Sequence, residues 1–142
     1  MPAIIRGTSK GQLVHFDFGQ DAVAASQSNV ELPAVGPEEG GTIVTGYTSP
    51  WDGEIVGVSF NLTAAGSAGS LTVGATINGT EDDDTTLTVT TAQADYKRVS
   101  RGRAQFSAGQ RIGAEITTDS GWNATTADLS VRVWALVYLE GI

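Results

Sequence analysis

From Leu129 to Leu139 the chain alternates without a break. Leu129, Val131, Val133, Ala135, Val137 and Leu139 project to one side of an extended backbone, and Ser130, Arg132, Trp134, Leu136 and Tyr138 to the other. A repeat of two residues is the repeat of a β-strand, whereas a helix would scatter these apolar positions around its axis. The same cadence runs back to Trp51, as short alternating runs separated by Gly, Asn, Asp or Pro turns. It predicts strands over 42–49, 54–62, 71–77, 85–91, 96–103, 111–117 and 129–139, with further strands over 12–18 and 27–32. Asn78-Gly79 between two such runs is the preferred dipeptide for a tight turn with positive φ, although the acidic residues after it leave the loop length open. Seventeen threonines against two lysines suit pleated surfaces and not helices, and no helix of ordinary length is expected.

The 142 residues are enough for one domain that buries about two thirds of its unfolded surface. The absence of cysteine removes disulfides, thiolate catalysis and thiolate metal sites, and leaves the compartment open. Residues 1–40 show no basic start, apolar run and small-residue cleavage site, and no stretch approaches the ~20 apolar residues of a membrane span. A soluble protein without a signal is the expectation. Pro33, Pro37 and Gly40-Gly41 form a strong stop, which divides the chain into an N-terminal arm over 1–40 and a β-sandwich domain over 41–142. The arm contributes up to two strands. Strand number and spacing then predict an all-β, antiparallel two-sheet sandwich, with jelly-roll connectivity ahead of an immunoglobulin-like one.

Charge is segregated. The formal net is −8. Residues 41–95 carry Asp52, Glu54, Glu81, Asp82, Asp83, Asp84 and Asp95 and no Lys or Arg; residues 96–111 carry Lys97, Arg98, Arg101, Arg103 and Arg111 and no acid. Two readings stand: the segments pair across one sheet as exposed ion pairs of about 0–1 kcal/mol each, or they meet between copies of the chain and set the register of assembly. The interface candidates are therefore Arg98, Arg101, Arg103, Glu81, Asp82, Asp83 and Asp84. Nucleic acid is not an expected partner, because the chain is acidic and only Tyr96 interleaves with the basic cluster. A membrane is not expected either.

Catalytic chemistry has little to stand on. His15 is the sole histidine and alternates with Leu13 and Asp17, opposite Val14, Phe16 and Phe18, with nothing resembling a nucleophile elbow nearby. No particular pair among the sixteen carboxylates is marked for glycoside hydrolysis. Glu81-Asp82-Asp83-Asp84 lacks the spacing of a calcium loop and reads as a solvated hairpin tip or a patch facing a basic partner. No metal, cofactor or enzymatic activity is expected.

Recognition offers more. Trp51 and Trp122 lie in turn-like sequences and Trp134 on the polar side of the last strand, so each is a candidate for stacking on a sugar or anchoring an interface, or else for closing the core over a sheet edge. Trp134, Leu136 and Tyr138 suggest that the last strand is covered on both faces, by the arm, a second sheet or another subunit. In the arm, Ile4, Ile5, Leu13, Phe16 and Phe18 are scattered anchors in Gly, Ser and Ala-rich chain, suited to laying an extended contact on a partner.

The stretches Pro50-Trp-Asp-Gly-Glu-Ile-Val-Gly-Val-Ser59, Thr72-Val-Gly-Ala-Thr-Ile-Asn-Gly79, Phe106-Ser-Ala-Gly-Gln-Arg-Ile112, Ile116-Thr-Thr-Asp119 and Ala127-Asp-Leu-Ser-Val-Arg-Val133 resemble, in that order, the jelly-roll modules of tailed-bacteriophage virions, such as head decoration proteins, head fibres and some tail-fibre domains. The Phe-x-Ala-Gly-x-x-Ile element is also similar to a turn of tumour-necrosis-factor-like and C1q-like trimers, with Gln110 where those commonly have Asp. The resemblance implies a homotrimer on the outer surface of a virion, with the major capsid protein as partner. It carries over no catalytic residue. The alternatives are a fibre module recognising a host surface and a carbohydrate-binding sandwich with Trp51 and Trp122 as its platform.

Overall fold

The computed structural model describes residues 11–34 and 44–139. Eleven strands are present: β1 (Gln12–Gln20), β2 (Val30–Glu31), β3 (Tyr47–Thr48), β4 (Gly53–Leu62), β5 (Leu71–Ile77), β6 (Thr80–Glu81), β7 (Leu87–Val89), β8 (Ala94–Arg98), β9 (Ala104–Phe106), β10 (Arg111–Thr118) and β11 (Leu129–Val137), with a 3-10 turn at Asp83–Thr85. They form two antiparallel sheets. One runs β1-β11-β4-β8, with β9 on the same edge of β4 as β8; the other runs β2-β10-β5-β6, with β3 beside β10 and β7 beside β5. Counting each broken edge strand once gives eight strands, and placing the late strands β10 and β11 between early ones is the wiring of a jelly roll.

The alternation read in the sequence becomes the core. Along β11 the odd positions are buried and the even ones face outward or are half-buried. Phe18, Ile55, Phe60, Leu71, Val73, Ile112, Ile116, Val131 and Val133 are fully or almost fully buried between the sheets. Asn78 (φ 53) and Gly79 (φ 81) form a two-residue turn, closed by the Ile77–Thr80 pairing, so the acidic run does not lengthen this loop. It forms the 3-10 turn instead: the Asp82 carboxylate accepts from Asp84 N at 2.9 Å, and buried Thr85 uses its hydroxyl to accept from Ala75 N of β5 at 2.9 Å. Thr85 thus ends the 3-10 turn with Thr86 as its cap, and the strand expected over 85–91 shrinks to β7.

Residues 12–20 and 30–31 are strands of the sandwich. β1 pairs with β11 over nine residues, from Gln12–Val137 to Gln20–Leu129. The division expected near residue 40 falls outside the described residues. The strand expected over 96–103 is split, because chain 99–103 turns at the edge of β4 between β8 and β9.

A register shift shapes the outer face of the first sheet. In the pairing of β11 with β4, Trp134 lies opposite Gly57 but its neighbour Ala135 lies opposite Ile55, leaving Val56 as the extra residue of a β-bulge. A bulge changes the phase of the strand. Ile55 and Val58 therefore both face the core, and Gly57 faces outward beside Trp134.

The outer face of the second sheet gathers carboxylates. Glu115 pairs with Glu31 on one side and Gly74 on the other, and the Glu81 side chain lies over Gly74. Glu31 is held by Arg111, whose Nη2 donates at 3.1 Å. Glu115 is only 4 % exposed, and burial, then the Glu31 charge, pushes its carboxyl above the ordinary value; Glu81 is raised by burial, then by Glu115 and Asp83. A carboxyl raised on folding stabilises the fold below its unfolded pKa of about 4.3, and that contribution is lost as pH rises through the folded value. Glu115→Gln should accordingly raise stability at pH 7 by on the order of 1 kcal/mol and leave it unchanged near pH 3, as read from urea titrations at the two pH values.

Candidate interaction surface

The outer face of the β1-β11-β4-β8 sheet brings together residues from the whole length of the chain. Register sets them in rows: Leu13 beside Leu136, His15 beside Trp134, Gly57 and Arg98, and Asp17 beside Arg132, Ser59 and Tyr96. Because Gly57 has no side chain, the second row is interrupted by a pit. A shallow groove of about 260 Å³ opens there, with Leu13, Gly57, Ser59, Tyr96, Arg98 and Trp134 among its lining residues. Tyr96 is 67 % exposed and Leu13 54 %, two of the most exposed large apolar side chains among the described residues.

The wall of the groove is fixed. The Trp134 indole Nε1 donates to Ser59 Oγ at 3.2 Å, His15 packs against its ring at 5.3 Å between centroids, and the Arg132 guanidinium stands 5.5 Å from its centroid. Arg132 Nε in turn donates to Asp17 Oδ1 at 2.7 Å, and His15 Nδ1 lies 3.1 Å from the same oxygen. Burial would raise the Asp17 carboxyl, but the hydrogen bonds from Arg132 and His15 outweigh it and hold it low. At the end of the sheet Glu54, largely buried, accepts from Arg101 Nε and Gly102 N, each at 2.9 Å, and from the Tyr138 hydroxyl. These bonds overcome the burial that would otherwise raise its pKa, and keep it ionised below the usual carboxylate range.

Part of the segregated charge is thus paired within one chain. Besides Arg101 with Glu54, Arg103 Nε lies 3.8 Å from Asp84 Oδ1, and Lys97 Nζ donates to Thr86 O at 3.1 Å, spanning the two sheets. Within the chain, then, Arg101 is engaged by Glu54, and Arg103 and Asp84 form a long pair on the exposed surface. Asp82 is likewise occupied as the cap of the 3-10 turn. Arg98 differs: it is exposed, lines the groove and enters no ion pair among the described residues.

The tryptophans separate into three situations. Trp122 is 3 % exposed, its Nε1 donates to Val23 O at 3.1 Å, and it is part of the core, so it is no recognition platform. Its turn folds inward because the Gly66–Gly69 loop packs flat against it; at Gly69 (φ 74) a Cβ would lie 2.1 Å from Trp122 N. Trp134 is the half-buried groove wall. Trp51 is 43 % exposed on a turn whose backbone is fully engaged. Ser49 Oγ donates to Trp51 O at 2.6 Å and accepts from Trp51 N at 3.2 Å, Asp52 Oδ1 accepts from Ala108 N at 2.8 Å, and Asp52 O accepts from Tyr138 N at 2.9 Å.

Of the arm anchors, Ile4 and Ile5 lie outside the described residues. Phe18 is fully buried in the chain's own core and cannot serve as a contact for a partner, because strand pairing with β11 turns its ring inward. Phe16 is half-buried against Tyr47, with ring centroids 5.4 Å apart, and only Leu13 is presented outward. Glu81 and Asp83 belong to the carboxylate face of the other sheet. The groove itself is absent from the sequence reading, since a bulge leaves no signature in alternation beyond the odd pair Ile55-Val56.

No protein-family model matches the sequence, and no curated protein does. Solved structures similar to this chain include a chain from the acidic stable capsid of Helicobacter pylori bacteriophage KHP30, at 12 % identity over 88 % of this chain and 87 % of that one, with a TM-score of 0.47. A chain of deformed wing virus, a honeybee pathogen, is similar at 8 % identity with a TM-score of 0.41; the match covers 93 % of this chain and half the length of that one.

Proposed function

We propose that this chain is a non-enzymatic structural protein of a virion, which binds the outer surface of a phage capsid as a homotrimer and stabilises the shell. The observation that supports this reading is where the fold places its unused chemistry. The space between the sheets is filled with apolar side chains, and large groups are left exposed: Leu13, Tyr96 and Arg98 line the groove, and Trp51 stands on the turn before β4, as befits a protein that acts by contact. His15, the residue on which a catalytic reading would turn, is engaged with Asp17 and Trp134. The carbohydrate-binding alternative loses Trp122, half of its platform, to the core.

The test is to mix the purified chain with empty shells assembled from the major capsid protein encoded in the same genome. Saturable cosedimentation and a higher shell melting temperature are expected, since a ligand at a hundred times its Kd stabilises what it binds by about 2.7 kcal/mol per site. Failure to cosediment at any salt concentration overturns the reading and sends the search to host surfaces and glycans.

A further inference from the structure

Two exposed features, the turn before β4 and the groove on the outer face of the first sheet, are complementary in shape and charge and lie apart within one molecule. Trp51 is a knob: an exposed indole on a turn whose backbone is pinned on both sides by Ser49, Ala108 and Tyr138, so little order remains to be gained on binding. The groove beside Gly57 is a socket: an apolar floor, an immobilised Trp134 wall, and the apolar lips Leu13 and Tyr96. Charge matches as well. Asp52 follows the knob, while the rim of the socket carries Arg98, which has no ion-pair partner among the described residues. Trp51 lies on the turn before β4 and is not among the residues lining the groove, and Gly53 to Gly57 alone spans about 13 Å at about 3.3 Å per strand residue, so the knob sits away from its own socket.

We propose that the β1-β11-β4-β8 face is a self-association surface, in which Trp51 of one copy inserts into the Gly57 groove of another and Asp52 faces Arg98. Trp and Arg are the residues most enriched at the energetic centres of interfaces, and here each would lose its exposure in one contact. In a homotrimer the contact is head-to-tail and is made once per interface, closing a three-membered ring. Such a contact deepens the oligomeric part of the proposed function and does not depend on what shell, if any, is bound.

The experiment is sedimentation velocity on the full chain over a range of concentrations. The unaltered chain should associate. Trp51→Ala removes the knob, and Gly57→Leu fills the socket at a position where a Cβ meets its neighbours at ordinary contact distances of 3.5–3.7 Å. Each should weaken association by at least ~30-fold, the effect of a hot-spot residue. Arg98→Glu, on an exposed side chain, provides a third variant that does not rely on the fold accepting Leu at 57; it should weaken association most at low salt. A monomeric unaltered chain overturns the proposal and leaves the groove to a partner of different sequence, and so does association that all three variants leave unchanged. A monomer that still cosediments with shells sinks this contact and the trimer but leaves shell binding standing, whereas an associating chain that ignores shells sinks the proposed function and leaves this contact standing.

Discussion

A chain lacking residues 1–20 should show neither a cooperative melt nor β-type circular dichroism. The truncation removes β1, which supplies one whole side of the pairing of β11, and with it Phe18, fully buried, and the partly buried Val14 and Phe16 packed on the core. Losing a buried Phe side chain alone costs about 3–5 kcal/mol, and each lost strand hydrogen bond about 0.5–1.5 kcal/mol. Against a total stability of about 5–15 kcal/mol for an ordinary domain, nothing is left to hold the remaining strands. Chain 21–34 would lose its ties to β1 as well, since Gly19 N donates to Pro33 O and Ala34 bridges to Phe18. A truncated chain that still melts as a single sigmoid would show that β1 is an appendage and that the sandwich is complete without it.

Trp122→Ala should lower stability by about 3–5 kcal/mol, the range for emptying a large aromatic site. The substitution leaves Val23 O, 3.1 Å from the indole nitrogen, without its donor, and takes the packing surface from Gly66. The turn cannot collapse to fill the space. Gly69 already touches the Trp122 backbone, and Asp119 ties this corner to Ser70 through both carboxylate oxygens, each at 3.1 Å. A guanidinium titration whose midpoint barely moves would show that the loop does repack. Trp51→Ala, by contrast, should change stability little and association greatly, and that contrast separates a core tryptophan from a contact tryptophan.

Strands were legible wherever alternation was uninterrupted and a turn residue ended it. β5 occupies the expected 71–77, and β11 and the Asn78-Gly79 turn follow the sequence closely, because local propensity and burial demand the same thing there. Legibility failed where side chains bond to backbone across the fold. Thr85 looks like strand and is drawn into a 3-10 turn by β5; Trp122 sits in a turn-like sequence that fits recognition and core closure alike, and only the glycines at 66 and 69, far along the chain, signal a neighbour without bulk. The charge segregation was visible, but the pairing of Arg101 with Glu54 depends on the path of chain 99–103 over Glu54. The interaction surface was least legible. Its parts, Leu13, Gly57, Tyr96, Arg98 and Trp134, come from four strands, and the pit between them exists because of one extra residue at Val56.

The position of β11 governs when the molecule can become itself. Of the eleven strands it is the last to be synthesised, yet it lies between β1 and β4, and Phe18 must find Val131 across more than a hundred intervening residues. Until residue 137 has left the ribosome, β1 has no strand beside it and the inner faces of β1 and β4 have nothing to join them. The nascent chain therefore waits, with two sticky edges open, and one late insertion closes the sheet. Contacts of such long range make folding slow and expose the unfinished form to neighbours doing the same. Neighbouring chains on a polysome, each with the same open edges, are then the partners against which that last insertion competes.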